Sequence, residues 1–215
     1  IIDDIVDISK IEAGLMDAEI RETNINEQIE YIHSLIKPEA EAKGIKLSFR
    51  SGLTSEEASF RTDQSKLFTI LANLVKNAVK YTEKGTIEFG YSLKGSKSKS
   101  RELLFYIKDT GRGIPKDRQE AIFERFIQAD IRDKMARQGA GLGLTIAKSY
   151  VEMLGGKIWV ESEEDMGSVF YFTLPYDEGQ VIRNGGQSEE ELNQGKTGVQ
   201  GLIILIAEDD ETSGK

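Results

Sequence analysis

The sequence predicts an α/β fold, a two-layer sandwich of helices on a sheet. Two observations carry this. Helical and strand-like segments mix along the chain without the regular βαβ alternation of a doubly wound sheet. The strands near the end of the main domain, Lys157–Glu163 and Ser168–Leu174, alternate apolar and polar residues as strands with one buried face do.

The elements follow in order. Ile1, Ile5, Ile8 and Leu15 recur at helical spacing with acids between them, and read as the tail of an amphipathic helix. Ile25–Lys43 reads as a second helix, capped by Asn24 with Glu27 reaching back and stopped by Gly44. Ile45–Arg50 and Ser59–Arg61 read as strands. Asp63 caps a long helix reaching about Lys80, with Leu67, Ile70, Leu71, Leu74, Val75 and Ala78 along one face. Strands Thr86–Leu93 and Glu102–Asp109 flank the hairpin-like loop KGSKSKS, whose lysines read as a solvated turn. A helix is expected over Lys116–Glu124, then a polar stretch over Gln128–Gln138. Another helix is expected over Leu142–Leu154, ending at Gly155–Gly156.

Composition narrows the function classes. The chain has 215 residues, enough for one ordinary domain with tails, and 39% of them are hydrophobic, enough for a packed core. A net charge of −9 argues against nucleic-acid binding, which needs a basic surface. The absence of cysteine removes disulfides and thiolate metal sites and fits a reducing cytoplasm. The longest apolar run, Leu202–Ala207, falls far short of the roughly 20 residues that span a bilayer, so no membrane contact is expected here. No signal peptide is visible, and the opening IIDDIVDIS without an initiator Met reads as a piece of something longer. Residues 176–199, rich in Gly, Glu, Gln and Asn, read as a linker. GLIILIAEDDET beyond it reads as the first strand of a second domain.

Three segments suggest chemistry. Asn73, Asn77 and Lys80 share one face of the long helix beside its apolar stripe. Asn is a poor interior helix residue. The face is therefore either a solvated polar surface or a site whose amide oxygens suit a hard cation such as Mg²⁺, with Lys80 facing phosphate. Asp109-Thr-Gly-Arg-Gly-Ile-Pro leaves a strand directly. It reads either as a turn or as a pocket floor, where the carboxylate accepts from an amino group such as that of adenine and Gly111 and Gly113 admit a flat ring. Gly139-Ala-Gly-Leu-Gly-Leu opens a helix, whose free N–H groups suit phosphate. Its spacing is neither the dinucleotide fingerprint nor a P-loop. Gly195-Lys196-Thr197 only imitates a P-loop end, since Glu190 stands where the first Gly would be.

Asn73–Thr82, Asp109–Ile114, Phe123–Phe126 and Gly139–Leu144 together resemble the N, G1, F and G2 boxes of sensor histidine kinases. These belong to the ATPase superfamily shared with gyrase, heat-shock chaperones and mismatch-repair proteins. The resemblance covers about Asp17–Pro175 and implies a Bergerat-type ATP-binding fold with a mixed, largely antiparallel sheet. It implies ATP and Mg²⁺ as cofactors, with Asn77 on the metal and Asn73 and Lys80 at the phosphates. Tyr81 would lie over the nucleotide, and Asp109 would bind the adenine amino group, supported by Gly111, Gly113 and Ile114. Phe123 and Phe126 would anchor a lid over Ile127–Gln138, with Gly139, Gly141, Leu142, Gly143 and Leu144 as hinge and phosphate contacts.

Residues 1–16 are similar to the end of a dimerisation and phosphoacceptor helix. Residues 200–215 resemble the start of a receiver domain, with Asp209 and Asp210 at its incomplete metal-binding acidic pair. The implied parent is a bacterial hybrid kinase, homodimeric, whose partners are its own dimerisation and receiver domains. Related ATPases carry a Glu general base one turn before the metal-binding Asn. Here that position is Asn73, which cannot take a proton, so phosphoryl transfer to a histidine is expected rather than hydrolysis. The chain's one histidine, His33, reads as a surface or partly packed helix residue rather than a phosphoacceptor. An ATP-binding signalling module without transfer and a superfamily ATPase are the alternatives.

Overall fold

Side-chain caps start the two longest helices, and the rest of the core is built on them. A computed structural model of the chain describes residues 2–95, 101–124 and 141–176. Helix α1 spans Ile2–Glu12, strand β1 Arg21–Asn24 and helix α2 Ile25–Ala42. Asn24 Oδ1 accepts from the N–H groups of Asn26 at 3.0 Å and Glu27 at 3.3 Å, satisfying two of the donors a helix start leaves open. Gly44 ends α2 with a φ of 70°, where a side chain would be strained.

Strands β2 (Ile45–Arg50) and β3 (Ser59–Thr62) lead to helix α3, Gln64–Tyr81. Asp63 caps α3 through Lys66 N–H at 3.0 Å and also accepts from Lys66 Nζ at 2.7 Å and Glu19 N–H at 2.9 Å. Burial alone would raise its carboxyl, but these hydrogen bonds hold it below the usual value. The cap therefore also ties the segment after α1 to the head of α3. Strands β4 (Gly85–Lys94) and β5 (Glu102–Asp109), helix α4 (Gly143–Met153), and strands β6 (Ile158–Glu163) and β7 (Gly167–Pro175) complete the elements.

The main sheet runs β2-β4-β5-β7-β6, with β2 and β4 parallel and every other neighbouring pair antiparallel. This is the mixed, largely antiparallel sheet expected. Its inner face carries Phe89, Phe105, Ile107, Phe170 and Phe172, against which α2, α3 and α4 contribute Ile29, Ile32, Leu71, Leu74, Ala147 and Val151. Phe105 and Phe172 stack with ring centroids 4.4 Å apart, and both are fully buried. Ile8 of α1 joins the same core, and Tyr150 of α4 donates a hydrogen bond to Asp7 at 3.1 Å. No helix among the described residues is long and apolar enough to cross a membrane.

Two elements depart from expectation. Strand β1 went unread because RETN has no apolar alternation; it exists through its antiparallel pairing with β3. The helix expected over Lys116–Glu124 is instead two 3-10 turns, Lys116–Arg118 and Ala121–Phe123. Gln119 breaks the path between them, because its amide Nε2 donates to Ile114 O at 3.0 Å and Ser162 O at 2.8 Å. The second turn then carries Ile122 and Phe123 into the core. In so short a segment these tertiary contacts outweigh helix propensity. The linker over 176–199 reaches beyond the described residues after Tyr176. The lysine loop beyond Gly95 and the receiver-like stretch over 200–215 also lie outside them.

Phe105→Ala is expected to lower stability by about 3–5 kcal/mol, since it opens a cavity beneath Phe172. Asn24→Ala should cost only about 1 kcal/mol. Urea unfolding of both variants checks the ranking, and equal midpoints would contradict this account of the core.

Candidate functional site

Helix α3 presents two adjoining faces. Leu67, Ile70, Leu71, Leu74, Val75, Ala78 and Val79 are buried, while Asn73, Asn77, Lys80 and Tyr81 are part-exposed beside them. A Cβ on Gly143, the first residue of α4, would stand 3.4 Å from Asn73 Oδ1. The head of α4 and the amide of Asn73 therefore face each other. Lys80 Nζ lies 5.0 Å from the centre of the Tyr81 ring, and the Arg112 guanidinium lies 4.8 Å from the same centre.

Asp109 closes the inner face of β5. Strand parity puts Leu103, Phe105, Ile107 and Asp109 on one side, so an apolar row ends in a carboxylate that is 6% exposed. Burial pushes its carboxyl above the ordinary carboxylate value, against the opposing pull of the Gly111 and Ser168 N–H groups. Gly111 N–H donates to Asp109 Oδ1 at 2.8 Å. A Cβ on Gly111 would meet Tyr81 O at 2.5 Å, Asp109 Oδ1 at 2.9 Å and Thr82 Oγ1 at 3.0 Å, so the loop fits here only as glycine. The backbone then crosses the β6–β7 turn. Gly113, with φ of 68°, has Glu163 O where its Cβ would be, and Asp165 N–H donates to Arg112 O at 2.7 Å. Ile114 N–H donates to Ser162 Oγ at 2.8 Å.

Phe123 packs edge-on against Phe170 at 6.3 Å and is buried. Gly141 has φ of 70°, Leu142 is buried in the core and Leu144 packs against it. The structure thus brings Asn73, Gly143 and the head of α4 together, and separately Tyr81, Asp109 and Gly111, with Lys80 beside the Tyr81 ring and Ile114 held on Ser162. Phe126, Gly139, the lid segment over 127–138, Asp209 and Asp210 lie outside the described residues.

Sequence reasoning missed Thr82, Ser162 and Ser168. Ser168 is opposite Asp109 in the β5–β7 register and is 6% exposed. Ser162 Oγ donates its one proton to Gly167 O at 2.8 Å, so in the 2.9 Å contact between the two hydroxyls Ser168 is the donor. The signal was available: Ser168 shares the parity of Phe170, Phe172 and Leu174, and a polar residue on a core-facing parity needs a reason.

A two-layer sandwich with an asparagine-bearing helix, a strand-end carboxylate and a glycine-headed helix defines a class of ATP-handling folds. The family model for histidine kinase-, DNA gyrase B- and HSP90-like ATPases matches residues 62–178, more than half of the chain, and the chain belongs to this family. Within it, the relatives are sensor histidine kinases. The autoinducer 2 sensor kinase/phosphatase LuxQ of Vibrio vulnificus is 36% identical over 99% of this chain. The chain spans 25% of that relative's length. Full-length ShkA in complex with AMPPNP superposes with a TM-score of 0.69 at 27% identity, over 82% of this chain and 35% of that one. The catalytic domain of histidine kinase ThkA superposes with a TM-score of 0.62 at 29% identity, over 74% of this chain and 96% of that one.

The raised Asp109 carboxyl has a consequence for folding. Between the ordinary value of 3.8 and its raised value, the folded chain holds a proton that the unfolded chain has released. Stability should therefore fall as pH rises through that window. Asp109→Asn is expected to remove this slope and to leave the ligand-free chain more stable at neutral pH than wild type. Melting temperatures of both chains from about pH 4 to 7 test it; parallel curves would refute the burial argument.

Proposed function

We propose that this chain binds Mg·ATP and presents the γ-phosphoryl group to a histidine on a dimerisation domain of the same parent protein. The observation that carries the reading is Asn73 at the head of α4. Its amide oxygen stands 3.4 Å from where a Gly143 Cβ would sit, at the helix end suited to phosphate, where a water-activating base would need a carboxylate. A neutral amide orients but takes no proton, so attack by water is left without a base. Transfer then depends on placement and charge neutralisation.

The roles are assigned by the resemblance to the kinase boxes, and the positions above support them. Asp109 accepts from the adenine amino group, Gly111, Gly113 and Ile114 shape the floor, and Tyr81 covers the base. Lys80, with Gly141, Leu142, Gly143 and Leu144 at the head of α4, holds the phosphates. Phe123 and Phe126 anchor a lid over residues 127–138, with Gly139 at its hinge. Among the described residues no three acidic or histidine side chains cluster. A hard divalent cation would therefore draw its oxygen ligands from phosphate and water, with the Asn77 amide oxygen as the chain's own ligand. When bound, Mg²⁺ supplies charge neutralisation at the phosphates.

His33 does not fit the acceptor role. Its ring lies 5.0 Å from Phe49 and 6.5 Å from Phe89, and Nε2 is 3.4 Å from Leu47 O, so it is packed against the sheet. We read residues 1–16 as belonging to the dimerisation helix, 17–175 as the catalytic domain, 176–199 as linker and 200–215 as the start of a receiver. The parent is then a cytoplasm-facing hybrid kinase acting as a homodimer, with the receiver as its next phosphoryl acceptor.

Incubated with γ-labelled ATP, the chain alone should gain no acid-labile phosphate, while a dimerisation domain added in trans should gain phosphohistidine. Label on the isolated chain, or steady phosphate release without an acceptor, would overturn the donor reading. Asn77→Ala should weaken Mg-dependent ATP binding at least about tenfold, roughly 1.4 kcal/mol, and leave Mg-free binding nearly unchanged. Calorimetry with and without Mg²⁺ decides it.

A further inference from the structure

Strand β6 ends the main sheet, and among the described residues it pairs only with β7. Ile158 and Val160 pack against the core, so alternation turns Trp159, Glu161 and Glu163 to the outer face. An edge strand exposes unpaired backbone groups, which proteins blunt with charged side chains. Blunting accounts for the acids but not for the tryptophan.

Trp159 stacks on Tyr171, its partner in register, with ring centroids 5.3 Å apart and planes inclined by 20°. Tyr171 thus covers one face of the indole, and the residue is still 37% exposed. Glu161 follows two residues along on the same side, about 7 Å away. Burial, and after it the Glu161 carboxylate, push the Tyr171 hydroxyl above its ordinary value, so the acid stands close to the aromatic pair. Glu163, Glu164 and Asp165 continue the acidic run into the β6–β7 turn, all of them exposed. Among the described residues none of these four carboxylates makes an ion pair. Residues 157–175 carry a single cation, Lys157, against them.

An exposed indole face beside a carboxylate suits a guanidinium. The ring takes its flat face, and the carboxylate accepts from its N–H groups. An ammonium gains less, because it has no flat face to stack. We propose that the β6 edge is a docking surface for an extended, arginine-bearing segment of a partner protein. The segment lies along β6 with an arginine over Trp159 and its charge on Glu161. The inference uses none of the residues assigned to nucleotide and goes beyond that reading without depending on it.

The chain holds one tryptophan, so tryptophan fluorescence reports this surface alone. The probe is a short peptide alternating Gly and Arg, compared with its Gly-Lys counterpart of equal charge. Each is titrated into the 215-residue chain at about 150 mM salt, which screens diffuse attraction. The Arg peptide should shift Trp159 emission in a saturable way and bind about tenfold more tightly than the Lys peptide. Glu161→Gln should remove most of that preference. Glu39→Gln, the same charge change at an exposed site on α2, should leave it intact. Equal affinities for the two peptides would overturn the proposal without recourse to any variant, since a net charge of −9 attracts both alike. So would equal losses in the two variants, or Arg-peptide binding that leaves the emission unchanged.

Discussion

The site depends on how α3 is seated. Eight aliphatic side chains of that helix, most of them on one stripe, are buried against the sheet and its neighbours. Burying each of the six larger ones is worth about 1.5–3 kcal/mol, whereas an interior Asn costs about 0.7 kcal/mol or less in helix propensity. Packing therefore wins by a wide margin and fixes the helix's rotation. Once the stripe is down, the period of 3.6 leaves Asn73, Asn77 and Lys80 no other direction. Helix α4 packs on α3, so the glycine at its head arrives at Asn73. The last turn of α3 likewise delivers Tyr81 and Thr82 to the loop after β5.

The sheet makes the other wall by simple parity. The inward rows Leu103, Phe105, Ile107 and Leu174, Phe172, Phe170 are core for most of their length and turn polar only at Asp109 and Ser168, which are paired in register. The polar end of these rows is thus a continuation of the hydrophobic core past its last aromatic ring. Close backbone contact closes in around it: Gly113 lies on Glu163 and Gly167 on Asp109, approaches that leave no room for a side chain.

Much of this was legible in the sequence because long elements state their own period. Helix α3, its Asp63 cap, the β5 strand and the glycine-headed α4 could be read from spacing alone. What was not legible depends on contacts distant in the chain. RETN becomes a strand only because Ser59–Thr62 lies beside it. KDRQEAIFE forgoes a helix because Gln119 is bonded to the carbonyl of Ser162, far along the chain. Thr82 looked like the ordinary end of a helix, and only the closeness of Gly111 shows where its hydroxyl lies.

The electrostatics of such a site raise an apparent conflict, since a chain of net charge −9 would hold a polyanion. Distance resolves it. Charges on the surface are screened over roughly 8–10 Å at ordinary ionic strength. Lys80 and Arg112, by contrast, lie 5.0 Å and 4.8 Å from the centre of one ring, Tyr81, which the nucleotide reading places over the base. Under that reading the two cations stand at the bound base, so local charge rather than net charge governs the ligand's approach. Under the nucleotide reading, the local sign of charge at the site, rather than the net charge of the chain, sets the preference for phosphate.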